Sequence, residues 1–265
     1  MTTPQDSWTD DSAYEAYVGR WSRRVGEGFL RWLDPFEQAR WLDFGCGTGA
    51  LTSQILASCA PRQIIGIEPS EEFLASARRQ IVDARVRFQQ GSDDRIPVND
   101  GEIDFAVSGL VLNFVSDQKK VIKALLRTLN PGGTLAAYVW DYAGHVQFMR
   151  HFWDVAVELN PEARDKDEGV CFPLCRPGPL HALFESSGLR DVDVTAMDIT
   201  TPFSDFSDYW TPFLSDVAPA PGYCASLDEE SRTRLESRLR ERLPTDSDGR
   251  ILLAARAWAV KGTGQ

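Results

Sequence analysis

The sequence predicts an α/β fold: seven strands in a mostly parallel sheet, helices on both faces, and a helical cap supplied by insertions. Three observations carry this. Across residues 40–140 short apolar runs alternate with helix-period stretches, which marks successive βαβ units. The runs close on Gly, Pro, Ser or Asp, residues that end strands and start helices. Hydrophobic residues make up 43% of a 265-residue chain, enough to cover both faces of such a sheet.

The first strand is expected at 41–44, ending in Gly45, Gly47 and Gly49. The helix behind it carries Leu51, Ile55, Leu56 and Cys59 on one face. A second strand at 64–67 closes on Glu68-Pro69-Ser70. Ser70 is a natural N-cap there, and Glu71 and Glu72 suit the positive end of the helix that follows. That helix turns Phe73, Leu74, Ala77 and Ile81 inward. The third strand is expected at 86–90, before Gly91-Ser92-Asp93-Asp94, and the fourth at 103–107. Ser116 is expected to open a helix with Val121, Ile122, Leu125, Leu126 and Leu129 facing inward. Asn130-Pro131-Gly132-Gly133 reads as its stop and as a turn. A fifth strand at 134–140 is as apolar as a central strand requires.

Beyond residue 140 the regularity breaks. Residues 141–176 hold an aromatic helical stretch with Phe148, Phe152 and Trp153, then an acidic loop. A helix at 179–187 and a strand at 192–199 resume the α/β pattern. Residues 201–221 are rich in aromatics and proline, and 228–243 read as an exposed helix with an apolar stripe of Leu235, Leu239 and Leu243. The last strand is expected at 251–260. One domain overall follows: an N-terminal helical lid over 1–39, a ligand-binding α/β core over 40–140, and a C-terminal part over 141–265 with the inserted cap.

Charge narrows the partners. A net charge of -11 argues against general affinity for nucleic acid, which needs clustered Lys and Arg. A small-molecule substrate is the expectation. Cys46, Cys59, Cys171, Cys175 and Cys224 are odd in number and lack a disulfide or zinc pattern, so buried free thiols and no metal are expected. Residues 1–11 are polar and acidic, and no stretch approaches a membrane span. A cytoplasmic protein fits these features.

The most informative segment is Asp43-Phe44-Gly45-Cys46-Gly47-Thr48-Gly49. Glycines at a strand-to-helix turn let backbone approach a ligand closely, and the helix start supplies free N–H groups. Gly45-x-Gly47-x-x-Ala50 also matches a dinucleotide fingerprint, with Glu68 at a suitable distance. An oxidoreductase binding NAD is therefore an alternative at this point. Asp43 two residues before the first glycine, and Gly49 completing G-x-G-x-G, separate the two readings.

On these residues the chain resembles the class I S-adenosylmethionine-dependent methyltransferases, particularly the bacterial group related to ubiquinone/menaquinone biosynthesis. The resemblance extends over residues 14–140. It rests on Leu42 to Gly49, on Gly66-Ile67-Glu68-Pro69-Ser70, on Gly91-Ser92-Asp93-Asp94-Arg95-Ile96-Pro97, and on Leu129-Asn130-Pro131-Gly132-Gly133. It implies a Rossmann-like fold and S-adenosyl-L-methionine as cofactor. Asp43, Gly45, Cys46, Gly47 and Gly49 would line its methionine and ribose portions. Glu68 would take both ribose hydroxyls, with Pro69 beside it, and Ser92 and Asp93 would flank adenine. Ser108 and Leu110 would line the reactive end, and Tyr17 and Arg20 of the opening helix would fold over the cofactor, as would Trp21.

Methyl transfer from a sulfonium needs alignment and exclusion of water more than acid–base chemistry. The catalytic residue is unassigned, with His145 a candidate base. Asn113 takes a place where relatives often carry His. Ser108-Gly109-Leu110-Val111 stands where amino-directed enzymes carry Asn/Asp-Pro-Pro-Tyr/Phe, so exocyclic amines and glutamine amides are not the expected targets. Trp140, Tyr142, Phe148, Trp153, Tyr209, Trp210 and Phe213 suggest either a planar small-molecule acceptor or the cap's own core. A binding protein without turnover is the third functional reading.

Overall fold

The structure is a computed structural model that describes residues 15–215 and 218–264. Residues 1–11 and Tyr14, which figured in the sequence reading, lie outside the described residues. The strands are β1 (Arg40–Phe44), β2 (Gln63–Glu68), β3 (Val86–Gln90), β4 (Ile103–Gly109), β5 (Leu129–Trp140), β6 (Arg190–Phe203) and β7 (Ile251–Thr263). They form one seven-stranded sheet in the order β3-β2-β1-β4-β5-β7-β6. The four pairings among β1 to β5 are parallel, so the α/β expectation holds.

Two compact units divide the chain. One consists of Ser22–Val139, Arg176–Met197 and Trp258–Gln265, the other of Met1–Trp21, Trp140–Cys175 and Asp198–Ala257. In the first unit β1 is paired on both sides, Asp43 standing level with Gly66 of β2 and Val107 of β4. The chain leaves β1 toward β2 and β3 on one side, and β4 and β5 are added on the other. The carboxyl end of β1 is thus the point where the winding reverses, the place where open α/β sheets form a crevice. β1 and β2 are near-continuously apolar because both faces are covered. Trp41, Leu42 and Ile64 are fully buried, and the Trp41 ring stacks on Phe105 at 4.8 Å.

Local chemistry sets the helix ends. Ser70 caps the helix Glu71–Gln80, its hydroxyl accepting the Phe73 N–H at 3.3 Å, as the sequence predicts. Ser116 does not open the next helix. Asp117 caps Gln118–Thr128 by accepting the Lys120 N–H at 3.0 Å, and Ser116 donates to Asp93 at 3.3 Å. The aspartate is one residue nearer the first free amides, so it reaches them first. Asn130-Pro131-Gly132-Gly133 stops the helix but is no separate turn. It lies inside β5, where Gly132 takes φ 77°. Ile103 pairs with Leu129 and Phe105 with Thr134. Two steps of β4 thus match five of β5, a bulge that accommodates a proline with no N–H to give.

The second unit is built around the helix Gln147–Leu159. Its inward side, Phe148, Met149, Phe152, Trp153, Val155 and Ala156, is buried, and Phe152 stacks on Phe213 at 4.5 Å. The helix Glu229–Arg242 buries Leu235 and Leu239, and Arg238 and Arg242 reach back to Glu158. Every aromatic offered above as a lining of the cap, from Trp140 to Phe213, is buried. They are cap core.

Truncating Ile64, which is fully buried in β2, should lower unfolding stability by about 2–4 kcal/mol in the Ile64→Ala protein. Val82→Ala, at a side chain 90% exposed, should change it by less than about 0.5 kcal/mol. Denaturant unfolding of both checks the placement of the core. Equal losses would contradict it.

Candidate functional site

The three glycines after β1 do different jobs. All are left-handed, with φ of 72°, 52° and 90° at Gly45, Gly47 and Gly49, where a side chain is strained. A Cβ on Gly45 would come within 2.5 Å of the Val111 side chain, and one on Gly49 within 2.7 Å of Ile81. Those two exist to let neighbours close in. A Cβ on Gly47 would meet nothing within 4 Å. At that residue alone of the three the backbone borders open space. The helix Ala50–Ser58 begins at Gly49 with no side-chain cap, which leaves first-turn amides for another partner.

Glu68, the last residue of β2, ties this bend to the neighbouring strand end. Its Oε2 accepts the Gly47 N–H at 3.2 Å and its Oε1 the Ser70 N–H at 3.1 Å. The amides of Gly45 and Cys46 bond the Ile67 carbonyl at 2.8 and 3.0 Å, so the bend cannot slide along β2. Burial pushes the Glu68 carboxyl up, and the two N–H donors pull it back. Each oxygen has used one lone pair of two, so both can still accept a hydroxyl from a vicinal diol.

The other predicted side chains are largely engaged with the scaffold. Asp43 is buried and accepts the Thr52 hydroxyl at 2.6 Å. Burial lifts its pKa to about 6, against the Thr52 side-chain and backbone hydrogen bonds. It anchors the start of the following helix. Ser108 donates to the Phe44 carbonyl at 3.0 Å, binding β4 to β1. The Ser92 hydroxyl accepts the Asp94 N–H at 3.3 Å, and Ser92 and Arg95 exchange backbone bonds. Asp93 accepts from Ser116, and the Pro69 carbonyl accepts Gln90 Nε2 at 3.0 Å. Cys46 is buried with its thiol pushed well up by burial and by Asp43 and Glu68, so it contributes backbone, not a nucleophile. Leu110 is left-handed at φ 62° without being glycine, and its N–H bonds the Tyr138 carbonyl at 2.8 Å. Holding it there costs about 1–2 kcal/mol.

Structure therefore gathers Asp43, Gly45, Cys46, Gly47, Gly49, Glu68, Pro69, Ser92, Asp93, Ser108 and Leu110 in the first unit. Tyr17, Arg20 and His145 belong to the second. There Tyr17 packs edge-on against Phe148 and Phe213 at 6.0 and 5.3 Å. Arg20 pairs with Asp208 at 2.8 Å and lies over the Trp21 and Phe203 rings. The His145 backbone bonds Asp141 and Arg256. Four cysteines are buried as expected, but Cys171 is exposed, and all five are free. Among the described residues no group of His, Cys, Asp or Glu is placed to hold a metal ion, and no helix is long and apolar enough to cross a membrane.

Comparison with known proteins points to one family. Residues 42–137 match the family model described as a methyltransferase domain. Over that stretch the chain is similar to the class I S-adenosylmethionine-dependent methyltransferases. The trans-aconitate 2-methyltransferase of Deinococcus radiodurans is 29% identical over 171 residues, 63% of either chain. That of Pseudomonas paraeruginosa is 27% identical over 93% of this chain and 90% of its own. For three curated relatives the matched stretch spans 63%, 29% and 48% of the relative's own length. In fold, the chain aligns with a Haemonchus contortus phosphoethanolamine N-methyltransferase 2, solved with S-adenosyl-L-methionine, at TM-score 0.62 and 16% identity. The alignment covers 100% of this chain and 61% of that one.

Two residues escaped the sequence reading of the site. Thr52, the partner of Asp43, was legible only as one of several polar residues in its helix. Glu168 sits in what reads as an acidic solvated loop, yet it is buried in the second unit and accepts the Trp153 indole N–H. Burial pushes its carboxyl from 4.5 to about 7 against that bond and its own backbone N–H. Asp167 pushes the same way and Arg150 opposes.

Gly45→Ala should cost roughly 2–4 kcal/mol, combining the left-handed φ with the Val111 clash. Adding Val111→Ala should return only the clash portion, measured as a double-mutant cycle in denaturant. A neutral Gly45→Ala would refute the packing role. For Glu168, the folded state keeps its proton up to about pH 7 while the unfolded chain loses it near 4.5. Its contribution is therefore complete below pH 4.5 and is lost as pH rises toward 7 and beyond. Glu168→Gln should gain on the wild type across that window, by at most roughly 3 kcal/mol. A melting difference that stays flat from pH 5 to 8 would contradict the assigned burial.

Proposed function

We propose that this protein transfers the methyl group of S-adenosyl-L-methionine to a small-molecule acceptor. The carrying observation is the junction of Gly47 and Glu68. An open, left-handed glycine and an acid from the next strand end are joined by a 3.2 Å hydrogen bond, and the acid keeps acceptor capacity for a diol. That arrangement suits an adenosyl ligand: backbone close on one side, a two-oxygen acceptor on the other.

When bound, the cofactor supplies a methyl group on a sulfonium, the C–S bond breaking with its electron pair left on sulfur as the bond to the acceptor forms. The chain's residues orient and shield. In this reading Asp43 and the backbone of Gly45, Cys46, Gly47 and Gly49 line the methionine and ribose portions, and Glu68 takes the ribose hydroxyls beside Pro69. Ser92 and Asp93 flank adenine, with the hydrogen bonds of Ser92 to its own turn leaving readout to backbone. Ser108 and Leu110 set the wall at the reactive end. Such a site lowers the barrier chiefly by fixing geometry.

A small acceptor is supported by the relatives named as trans-aconitate 2-methyltransferases and by the net charge of -11, which suits no nucleic-acid partner. Five free cysteines support a reducing, cytoplasmic setting.

Calorimetry should show heat with S-adenosylhomocysteine and S-adenosylmethionine and none with NAD. The reverse pattern would replace this reading with an oxidoreductase. Glu68→Ala should weaken S-adenosylhomocysteine binding by about tenfold or more, the order expected for lost charge-assisted hydrogen bonds. An unchanged dissociation constant would remove Glu68 from the site.

A further inference from the structure

Asn113 stands just past β4 with an amide that nothing among the described residues answers. It lies in the short helical turn Leu112–Phe114, is 8% exposed, and neither Oδ1 nor Nδ2 has a hydrogen-bond partner. A buried polar group left unmet is costly, and native structures retain few of them. Its backbone is not loose. Val111 is wedged against Gly45, the Phe114 N–H bonds the Val111 carbonyl at 2.9 Å, and the Leu110 N–H bonds β5. The turn that carries the unsatisfied amide is held in place.

Sheet order says which end of the ligand this residue serves. β1 has β2 on one side and β4 on the other. With the ribose at Glu68, on the β2 side, the opposite end of an adenosyl ligand extends across the end of β1 toward β4. A sulfonium neither donates nor accepts a hydrogen bond in the ordinary sense, so an amide there has nothing to offer the reacting end of the cofactor. It has something to offer the molecule that meets it.

Charge selects the kind of molecule. The segments leaving β1, β2 and β4 (residues 43–49, 68–70 and 108–114) contain the acids Asp43 and Glu68 and no Lys or Arg. An anion brought there loses hydration with no side-chain cation from these segments to replace it, only the cofactor's own positive charge. A neutral hydroxyl does not. An amide accepts and donates at once: Oδ1 takes the hydroxyl hydrogen, Nδ2 gives to a second oxygen of the same molecule, and a lone pair of the hydroxyl is left free to attack. The proton then passes to water, since an amide does not take it.

We propose that Asn113 binds the methyl acceptor, and that the acceptor presents a neutral hydroxyl flanked by a second oxygen, as in a catechol or hydroxy-ketone. This rests on the function proposed above and sets the acceptor apart from the tricarboxylate in the names of the relatives. Two experiments test it. In the ligand-free protein, Asn113→Leu should raise Tm by about 3 °C, because it removes two orphaned groups. The same variant should keep S-adenosylhomocysteine affinity within about threefold and lose transfer by about a hundredfold. A lowered Tm would make Asn113 a packing residue and overturn the proposal. In the wild type, tritiated methyl supplied with a panel of catechols, phenols and hydroxy-ketones should appear in base-stable ether. Label confined to base-labile ester from trans-aconitate or other acids, or absent from every hydroxyl compound, would also overturn it. If S-adenosylhomocysteine gives no heat with the wild type, the underlying function fails first.

Discussion

The two hydrogen bonds of the Glu68 carboxylate are the constraint on which the rest of the site depends. They join a backbone amide in the bend after β1 to one at the exit of β2. Both donors are N–H groups with no choice of role, so the partner must be an acceptor at both ends, which a carboxylate is and an amide side chain is not. One of the donors, Ser70, is also the N-cap of the helix Glu71–Gln80, so the negative charge lies by the favourable end of a helix dipole. These contributions offset part of the burial cost that pushes the carboxyl up. A diol arriving at the two remaining lone pairs would offset more.

Around that bond the bend is fixed by exclusion. Gly45 and Gly49 admit Val111 and Ile81 where a methyl group would stand, and Gly66 admits Phe88 and the Cys46 sulfur, each approach being under or near 3 Å from an added Cβ. The turn is therefore packed on the sides that face the protein and free at Gly47. Close packing of this kind gives a few discrete arrangements and no gradual ones, which is what alignment of a ligand over the end of β1 demands.

Much of this was legible in the sequence, and the rest was hidden for a physical reason. Strand order and the glycine bend show because apolar period and Gly spacing are local signals. Which side chains remain free is not local. Asp43 is taken up by Thr52, nine residues on, Ser108 by a carbonyl of β1 64 residues away, and Ser116 by Asp93. Glu168 looks like any loop acid until Trp153, 15 residues earlier, donates to it in the second unit. The misplaced turn at Asn130-Pro131-Gly132-Gly133 fails in the same way. Turn-forming residues also make a bulge when a neighbouring strand fixes the register, and the neighbour, β4, is distant in sequence.

The hydrogen bonds already made within the first unit limit the chemistry it suits. Once the side chains bound to scaffold are set aside, two buried side chains that keep hydrogen-bonding capacity at the ends of β2 and β4 are Glu68 and Asn113. Neither is an efficient base at an oxygen nucleophile: one is committed to two backbone amides, the other does not take up a proton. For most group transfers that would be a defect. For a leaving group that departs as a neutral thioether it is not, because the electrophile is already activated and the barrier responds to the line of attack. An unsatisfied amide on a turn pinned by Val111 and Leu110 sets that line more stiffly than a mobile base would, and the stability lost in keeping it unsatisfied is returned only when a hydroxyl of the right shape arrives.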